Sequence, residues 1–173
     1  MASIRILGAG DVDAYQALRL GALRESPEAF GSTYEEEVER PLSEIMERLA
    51  RGADREQVVF GAFEGGELVG MIGLARETKR KARHRALVWG MYVAPGARRW
   101  GIARALLDAL IAHAKTLEGV ESLLLGVVTV NESARQLYRS AGFVPFGVQP
   151  RAYALDGELW DSELMTLMLK DVP

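Results

Sequence analysis

Between Val120 and Val130 the chain reads Val-Glu-Ser-Leu-Leu-Leu-Gly-Val-Val-Thr-Val, a nearly continuous apolar run. A strand with one wet face alternates apolar and polar residues. A run without that alternation marks a central strand buried on both faces. A second apolar run, Ala86 to Val93, comes before it. Between the two, Ile102, Leu106, Ala109, Leu110 and His113 recur at helical spacing. Strand, helix and strand in that order imply a parallel crossover between 86–93 and 120–130.

The rest of the chain builds around this unit. Ser3 to Leu7 predicts a short first strand, and Asp11 an N-cap for a helix to about Glu25 with Val12, Tyr15, Leu18 and Ala22 on one face. Ser26-Pro27 ends that helix. Thr33 with Glu36 has the capping-box spacing, and Pro41 restarts a helix with the stripe Leu42, Ile45, Met46 and Leu49. Gln57–Phe63 and Glu67–Arg76 read as strands joined by Gly65-Gly66, a hairpin signal because primed turns need positive φ. With 86–93 they form an antiparallel meander. A short helix from Asn131 carries Ala134, Leu137, Tyr138 and Ala141 on one face and stops at Gly142. Asp156-Gly157 is a hairpin turn before a last strand, Glu163–Leu169. The expected fold class is α+β, a mixed and mostly antiparallel sheet of about six or seven strands flanked by helices.

Composition narrows the function classes. The 173 residues suit one domain, 1–173, with one sizeable core. A net charge of −3 argues against nucleic acid as a partner, since phosphate-backbone binding needs a basic surface. There is no cysteine, which removes disulfides and thiolate chemistry. No apolar stretch approaches the ~18 residues of a membrane span, and no signal peptide is apparent, so the expected location is the cytoplasm with no membrane partner. Neither His84 nor His113 has partners at metal-ligand spacing. His113, on the apolar helix face, reads as a core or boundary residue. The basic connection from Arg76 to Arg85 reads as a solvated turn.

Chemistry concentrates in Arg98-Arg99-Trp100-Gly101-Ile102-Ala103, between Met91-Tyr92-Val93 and the central helix. A strand, a tight basic turn and a helix start aim backbone N–H groups, a helix N-terminus and two guanidinium groups at one point, which suits a phosphate or pyrophosphate. Gly101 lets a ligand approach the backbone, and the small Ala103 keeps the first helical turn open. The bland alternative is a solvated basic turn.

Two stretches together resemble the GNAT N-acetyltransferase superfamily. One is Met91-Tyr92-Val93-Ala94-Pro95 followed by Arg98 to Ala103, similar to the family's Gln/Arg-x-x-Gly-x-Gly/Ala acetyl-CoA signature. The other is Asn131-Glu132-Ser133-Ala134-Arg135-Gln136-Leu137-Tyr138 followed by Ala141-Gly142-Phe143. Arg99 stands where many relatives have Gly, and Ala103 where Gly is commoner. The resemblance implies a GNAT-like fold and a direct transfer of acetyl from acetyl-CoA to a primary amine. It implies that the pyrophosphate lies over the N–H groups of Arg98, Arg99, Gly101, Ile102 and Ala103. The pantetheine would pair with the strand at Met91 and Val93 and meet Asn131. Tyr138 would protonate the departing thiolate; a phenol, with a reference pKa near ~10, is neutral at pH 7 and lies above a thiol near ~8.5. Relatives are often dimers, which leaves a homodimer open.

The acceptor side is less constrained. Many relatives place a carboxylate base on the central strands, whereas this chain has none between Arg85 and Val93 and only Glu121 at the start of the next strand. Glu35, Glu36, Asp161 and Glu163 could border the acceptor pocket, but the expected reading of each is solvated surface charge. The loop 28–34 and the hairpin 150–163 are expected to shape that pocket, with Phe30, Tyr34, Trp89, Tyr153 and Trp160 as aromatic lining. Two rivals remain: an acyl-CoA-binding or sensor module without turnover, and a nucleotide-binding module, which lacks a Walker or dinucleotide glycine pattern.

Overall fold

In a computed structural model, which describes residues 2–170, seven strands form one sheet in the order β1-β2-β3-β4-β5-β7-β6. They are β1 (Ser3–Ile6), β2 (Gln57–Glu64), β3 (Glu67–Arg76), β4 (Arg85–Val93), β5 (Ser122–Val128), β6 (Val144–Leu155) and β7 (Glu158–Met168). Five helices flank them: α1 (Val12–Glu25), α2 (Tyr34–Val38), α3 (Leu42–Ala50), α4 (Ile102–Lys115) and α5 (Glu132–Ser140). β4 and β5 are parallel and every other pair is antiparallel. The crossover and the meander stand where the hydrophobic runs place them. β7 begins earlier than the apolar pattern suggested, because its first half pairs with β6 as an exposed hairpin.

Each face of the sheet carries its own core. One packs Leu106, Leu107 and Leu110 of α4 and Tyr138 of α5 against Ile72, Leu74, Leu123 and Leu125. The other packs Tyr15, Ala22 and Leu23 of α1 and Ile45 and Leu49 of α3 against Val59, Leu68 and Met71. The hairpin turn Gly65-Gly66 has φ of 59° and 89°, and Gly119, in the turn between α4 and β5, and Gly142, just past α5, also adopt positive φ.

Local expectations fail in two places. Asp11 holds the N-cap position of α1 but its side chain makes no capping bond to the helix; its carboxylate accepts from the Gly8 N–H at 2.8 Å and pairs with Arg5 at 2.7 Å, closing a 3-10 turn ahead of the helix. In α3 only Ile45 and Leu49 are buried, while Leu42 and Met46 remain exposed.

β3 and β4 approach very closely at one point. A β-carbon on Gly73 would stand 2.2 Å from Cε2 of Trp89 on the neighbouring strand. Gly73→Ala is therefore expected to destabilise the fold by ~1–3 kcal/mol through overpacking. Urea denaturation checks this, and the cost should shrink in a Trp89→Leu background, as coupled neighbours require.

Candidate active site

β4 and β5 pair only at Arg85–Ser122, Ala86–Leu123 and Leu87–Leu124. Beyond that they part, although β4 runs on to Val93 and β5 stays paired with β7 as far as Val128–Ser162. On its other side β4 slips register against β3 between Met71–Tyr92 and Gly73–Trp89, and Gly90 adopts φ of 64° within the slip. Such a bulge bends a strand and increases its local twist. The result is a wedge-shaped opening with an unpaired β4 edge along it, which includes Met91 and Val93.

The basic turn lies at the carboxyl end of this edge. Gly101 is the N-cap of α4 with φ of 78°, and no side chain caps the helix. Arg98 N–H bonds the Pro95 carbonyl and Ala105 N–H bonds the Gly101 carbonyl. The intervening N–H groups, from Arg99 to Arg104, have no partner among the described residues. Ile102 is buried, and Ala103 is half-buried above the opening of the helix. The two arginines do not converge. Arg98 turns back, with Nε donating to the Val93 carbonyl at 2.9 Å and Nη2 to Glu25 at 2.6 Å. Arg99 is exposed, held at φ of 69°, and Trp100 is 79% exposed beside it.

Glu25 also accepts from the Tyr92 hydroxyl at 2.6 Å. That hydrogen bond and the Arg98 guanidinium hold the Glu25 carboxyl below its usual range. Burial and the same carboxylate push the Tyr92 phenol up to about 12.

Across the opening, Asn131 caps α5: Oδ1 accepts from Ala134 N–H and from Ser133 Oγ, both at 3.1 Å. Tyr138 lies two turns further on, 6% exposed, with its ring edge-on to Phe143. Burial alone pushes its phenol above the ordinary value.

Of the carboxylates weighed from sequence, Glu163 is the informative one. It is buried on β7 rather than solvated, and it receives Arg135 at 3.1 Å and Arg139 at 3.0 Å, both from α5. Those contacts, led by the Arg135 hydrogen bond, lower its pKa and make it a poor base. It holds α5, with Asn131 and Tyr138, against the sheet. Glu36 closes the capping box with Thr33, and Asp161 accepts from the Arg151 N–H at 2.8 Å. Glu35 and Glu121 are exposed.

A cleft of about 430 Å³ opens between the loop 27–33, the start of α2 and the β6–β7 hairpin. Phe30, Tyr34, Tyr153, Trp160 and Glu35 line it, as does Arg24, whose guanidinium bonds the Tyr34 hydroxyl. Trp89 does not reach it; its ring covers Gly73. His113 is a core residue, with Nε2 at 2.7 Å from the Arg55 carbonyl. Among the described residues no helix is long and apolar enough to cross a membrane, and no group of three His, Asp or Glu could hold a metal ion.

Sequence reasoning passed over Glu25, Arg19 and Glu37. Arg19 and Glu37 are buried, and Glu25 anchors the turn. Arg19 falls four residues after Tyr15 and three before Ala22, so a charge on the apolar face of α1 was readable from the spacing. Glu25 gave no such signal, because its partners lie 67 and 73 residues away.

The model of the acetyltransferase (GNAT) family matches residues 22–143, and the chain belongs to that family. It is 38% identical over 97 residues to the N-alpha-acetyltransferase RimI of Mycobacterium tuberculosis (strain ATCC 25618 / H37Rv), a match covering 56% of this chain and 58% of that protein. The fold is similar to a GNAT-family acetyltransferase from Streptococcus pneumoniae, with a TM-score of 0.88 at 22% identity over 97% of this chain and 99% of that one. It is also similar to YncA, a putative acetyltransferase from Salmonella typhimurium solved with its cofactor acetyl-CoA; there the TM-score is 0.87 at 20% identity, over 100% of this chain and 96% of that one.

The Glu163 clamp generates a test. A carboxyl whose folded pKa is depressed stabilises the fold fully above its ordinary value near ~4.3 and loses that contribution as pH falls below it. Glu163→Gln should cost about 2 kcal/mol at pH 7, the scale of hydrogen bonds to charged groups. In urea denaturation at a series of pH values, the gap between variant and wild type should close as the pH drops below about 4.

Proposed function

We propose that the protein is an acetyl-CoA-dependent N-acetyltransferase, acting directly on a primary amine of a small molecule or protein. The observation that carries this reading is the unpaired β4 edge running into a turn of uncapped N–H groups, with Asn131 at the start of α5 just beyond the end of β5. Acetyl-CoA bound to a protein of the same fold supports it, as does the N-alpha-acetyltransferase relationship.

The thioester of bound acetyl-CoA supplies the acetyl group. The N–H groups from Arg99 to Arg104 and the positive end of α4 fit its pyrophosphate without any lysine or metal. Here the backbone does the binding, with Gly101 and Ala103 leaving the approach clear. Arg98 shapes the turn through Val93 and Glu25 rather than meeting the anion itself, and Arg99 adds charge at the rim. The β4 edge around Met91 and Val93 aligns the pantetheine arm as an added strand, and an N–H of that edge polarises the acetyl carbonyl as the amine attacks. Asn131, its oxygen engaged as a cap, offers its amide nitrogen to the arm. Tyr138 Oη gives its proton to the departing thiolate. Of the weighed carboxylates only Glu35 lines the cleft, so the amine arrives deprotonated by solvent or through an exposed group.

Thiol release from acetyl-CoA across a panel of amines tests the reading. Steady release with at least one amine is expected; acetyl-CoA binding by calorimetry with no release from any amine would leave an acyl-CoA-binding module instead. Tyr138→Phe should lower kcat by ~100-fold or more, the usual worth of a positioned acid, with acetyl-CoA affinity retained. Because burial raises the Tyr138 phenol, the wild-type pH–rate profile should rise with the free-amine fraction and show no loss from tyrosine ionisation below pH ~10.

A further inference from the structure

Arg19 is the least accountable residue in the fold. It lies on the sheet-facing side of α1, 5% exposed, and its Nε and Nη1 are buried with no hydrogen-bond partner. A guanidinium stays charged at any physiological pH, so burial without a counter-ion is costly. The charges around it do not resolve this. Glu37, buried on α2, gives its carboxylate to Arg40 at 3.3 Å and its backbone carbonyl to Gln16. Arg48 of α3 lies over the Trp89 ring, 5.8 Å away. Three arginines therefore surround this region against the single buried carboxylate of Glu37.

The placement of Arg19 is specific. Its guanidinium lies over the Phe30 ring at 4.7 Å, and Phe30 also lines the 430 Å³ cleft. Leu23, one turn along α1, lines the same cleft. On the sheet side Nη1 is 3.7 Å from where a β-carbon of Gly90 would stand. Gly90 is the bulge residue, and having no side chain it leaves the backbone bare beneath the guanidinium. It immediately precedes Met91, on the edge assigned above to the pantetheine arm.

We propose that Arg19 is the acceptor's anion site: it pairs with a carboxylate carried by the amine, so that the acceptors are free amino acids and their analogues. This rests on the acetyl-transfer reading. A guanidinium binds a carboxylate in a bidentate fork, which fixes orientation as well as position. Neighbouring residues of a strand stand only ~3.8 Å apart, so an anion held at Gly90 and an amine attacking beside Met91 are separated by a few bonds. Peptide N-termini, whose nearest carboxylate depends on the following side chains, fit this spacing less well than free amino acids. The rival role for Arg19 is purely structural, with enclosed water linking it to Tyr15 Oη and Gln16 Oε1, which also lack partners.

Matched acceptors separate the two. L-Phenylalanine and L-phenylalaninamide share an amine and a side chain and differ in the carboxylate. Wild type should use the acid with a kcat/KM about tenfold or more above that of the amide, the scale of one charged contact. Arg19→Met should remove that preference, mainly by raising KM for the acid, and leave KM for acetyl-CoA unchanged. Arg19→Lys should keep part of it, and covers the case in which the methionine variant fails to fold. Equal use of acid and amide by wild type, or an unchanged preference in both variants, overturns the proposal. If no amine is acetylated at all, the transfer reading fails on its own and calorimetric titration with N-acetyl-L-phenylalanine decides the anion site. Binding about tenfold weaker in Arg19→Lys than in wild type supports it; no binding, or equal binding, overturns it.

Discussion

The cofactor side of the protein depends on where two parallel strands stop bonding to each other. β4 and β5 share three residue pairs and then separate, while their outer neighbours β3 and β7 hold each of them in place. An unpaired strand edge inside a sheet normally leaves its N–H and C=O groups without partners, at a free-energy cost. Here the edge lies along the gap left where β4 and β5 stop pairing. The bulge at Gly90 bends β4 away, and the β5–β7 ladder keeps β5 from following. Both the turn before α4 and the α5 N-cap follow just after the strands end, so the uncapped N–H groups and Asn131 gather at the carboxyl ends of the pair, where open α/β sheets place their crevice.

Much of this was legible in the residues. The apolar run at 120–130, the Gly65-Gly66 turn and the Thr33–Glu36 capping box each express one local rule; the first becomes the mostly buried β5 over Ser122–Val128, and the other two stand in the structure. The two ordered motifs fall on the turn that starts α4 and on α5. What could not be read was everything set by distant contacts. Arg98 reads as a phosphate ligand from its place in the basic turn; that its guanidinium bonds the Val93 carbonyl and Glu25 of α1 was not readable, because Glu25 lies 73 residues away. Glu163 looked like a solvated charge on a strand. It is buried because two arginines one helical turn apart on α5 meet it from above. A one-dimensional pattern records which face a residue occupies, not which partner arrives there.

The two faces of the sheet differ in kind. The α4–α5 side is mainly apolar, and its buried charged or ring-nitrogen groups each meet a partner: Glu163 pairs with Arg135 and Arg139, and His113 with the Arg55 carbonyl. The α1–α3 side admits Gln16, Arg19 and Glu37 among Tyr15, Ile45 and Leu49. Interiors tolerate such groups only when other polar atoms meet them. The side facing the cleft is therefore the one on which a binding partner has most to add, and the side facing α4 the one that keeps the scaffold rigid.

The strand order has a consequence for how the molecule comes into being. β7 lies between β5 and β6, yet it is the last of the seven to be synthesised. Until it emerges from the ribosome, β5 has one edge parted from β4 and the other entirely bare, a long apolar strand open to pairing with any other chain. The hairpin at Asp156-Gly157 brings β7 back beside β6 with little loop to close. Insertion of β7 then shields β5 and delivers Glu163 to the arginines of α5 in a single event, so the nascent chain anchors α5 and loses its sticky edge together.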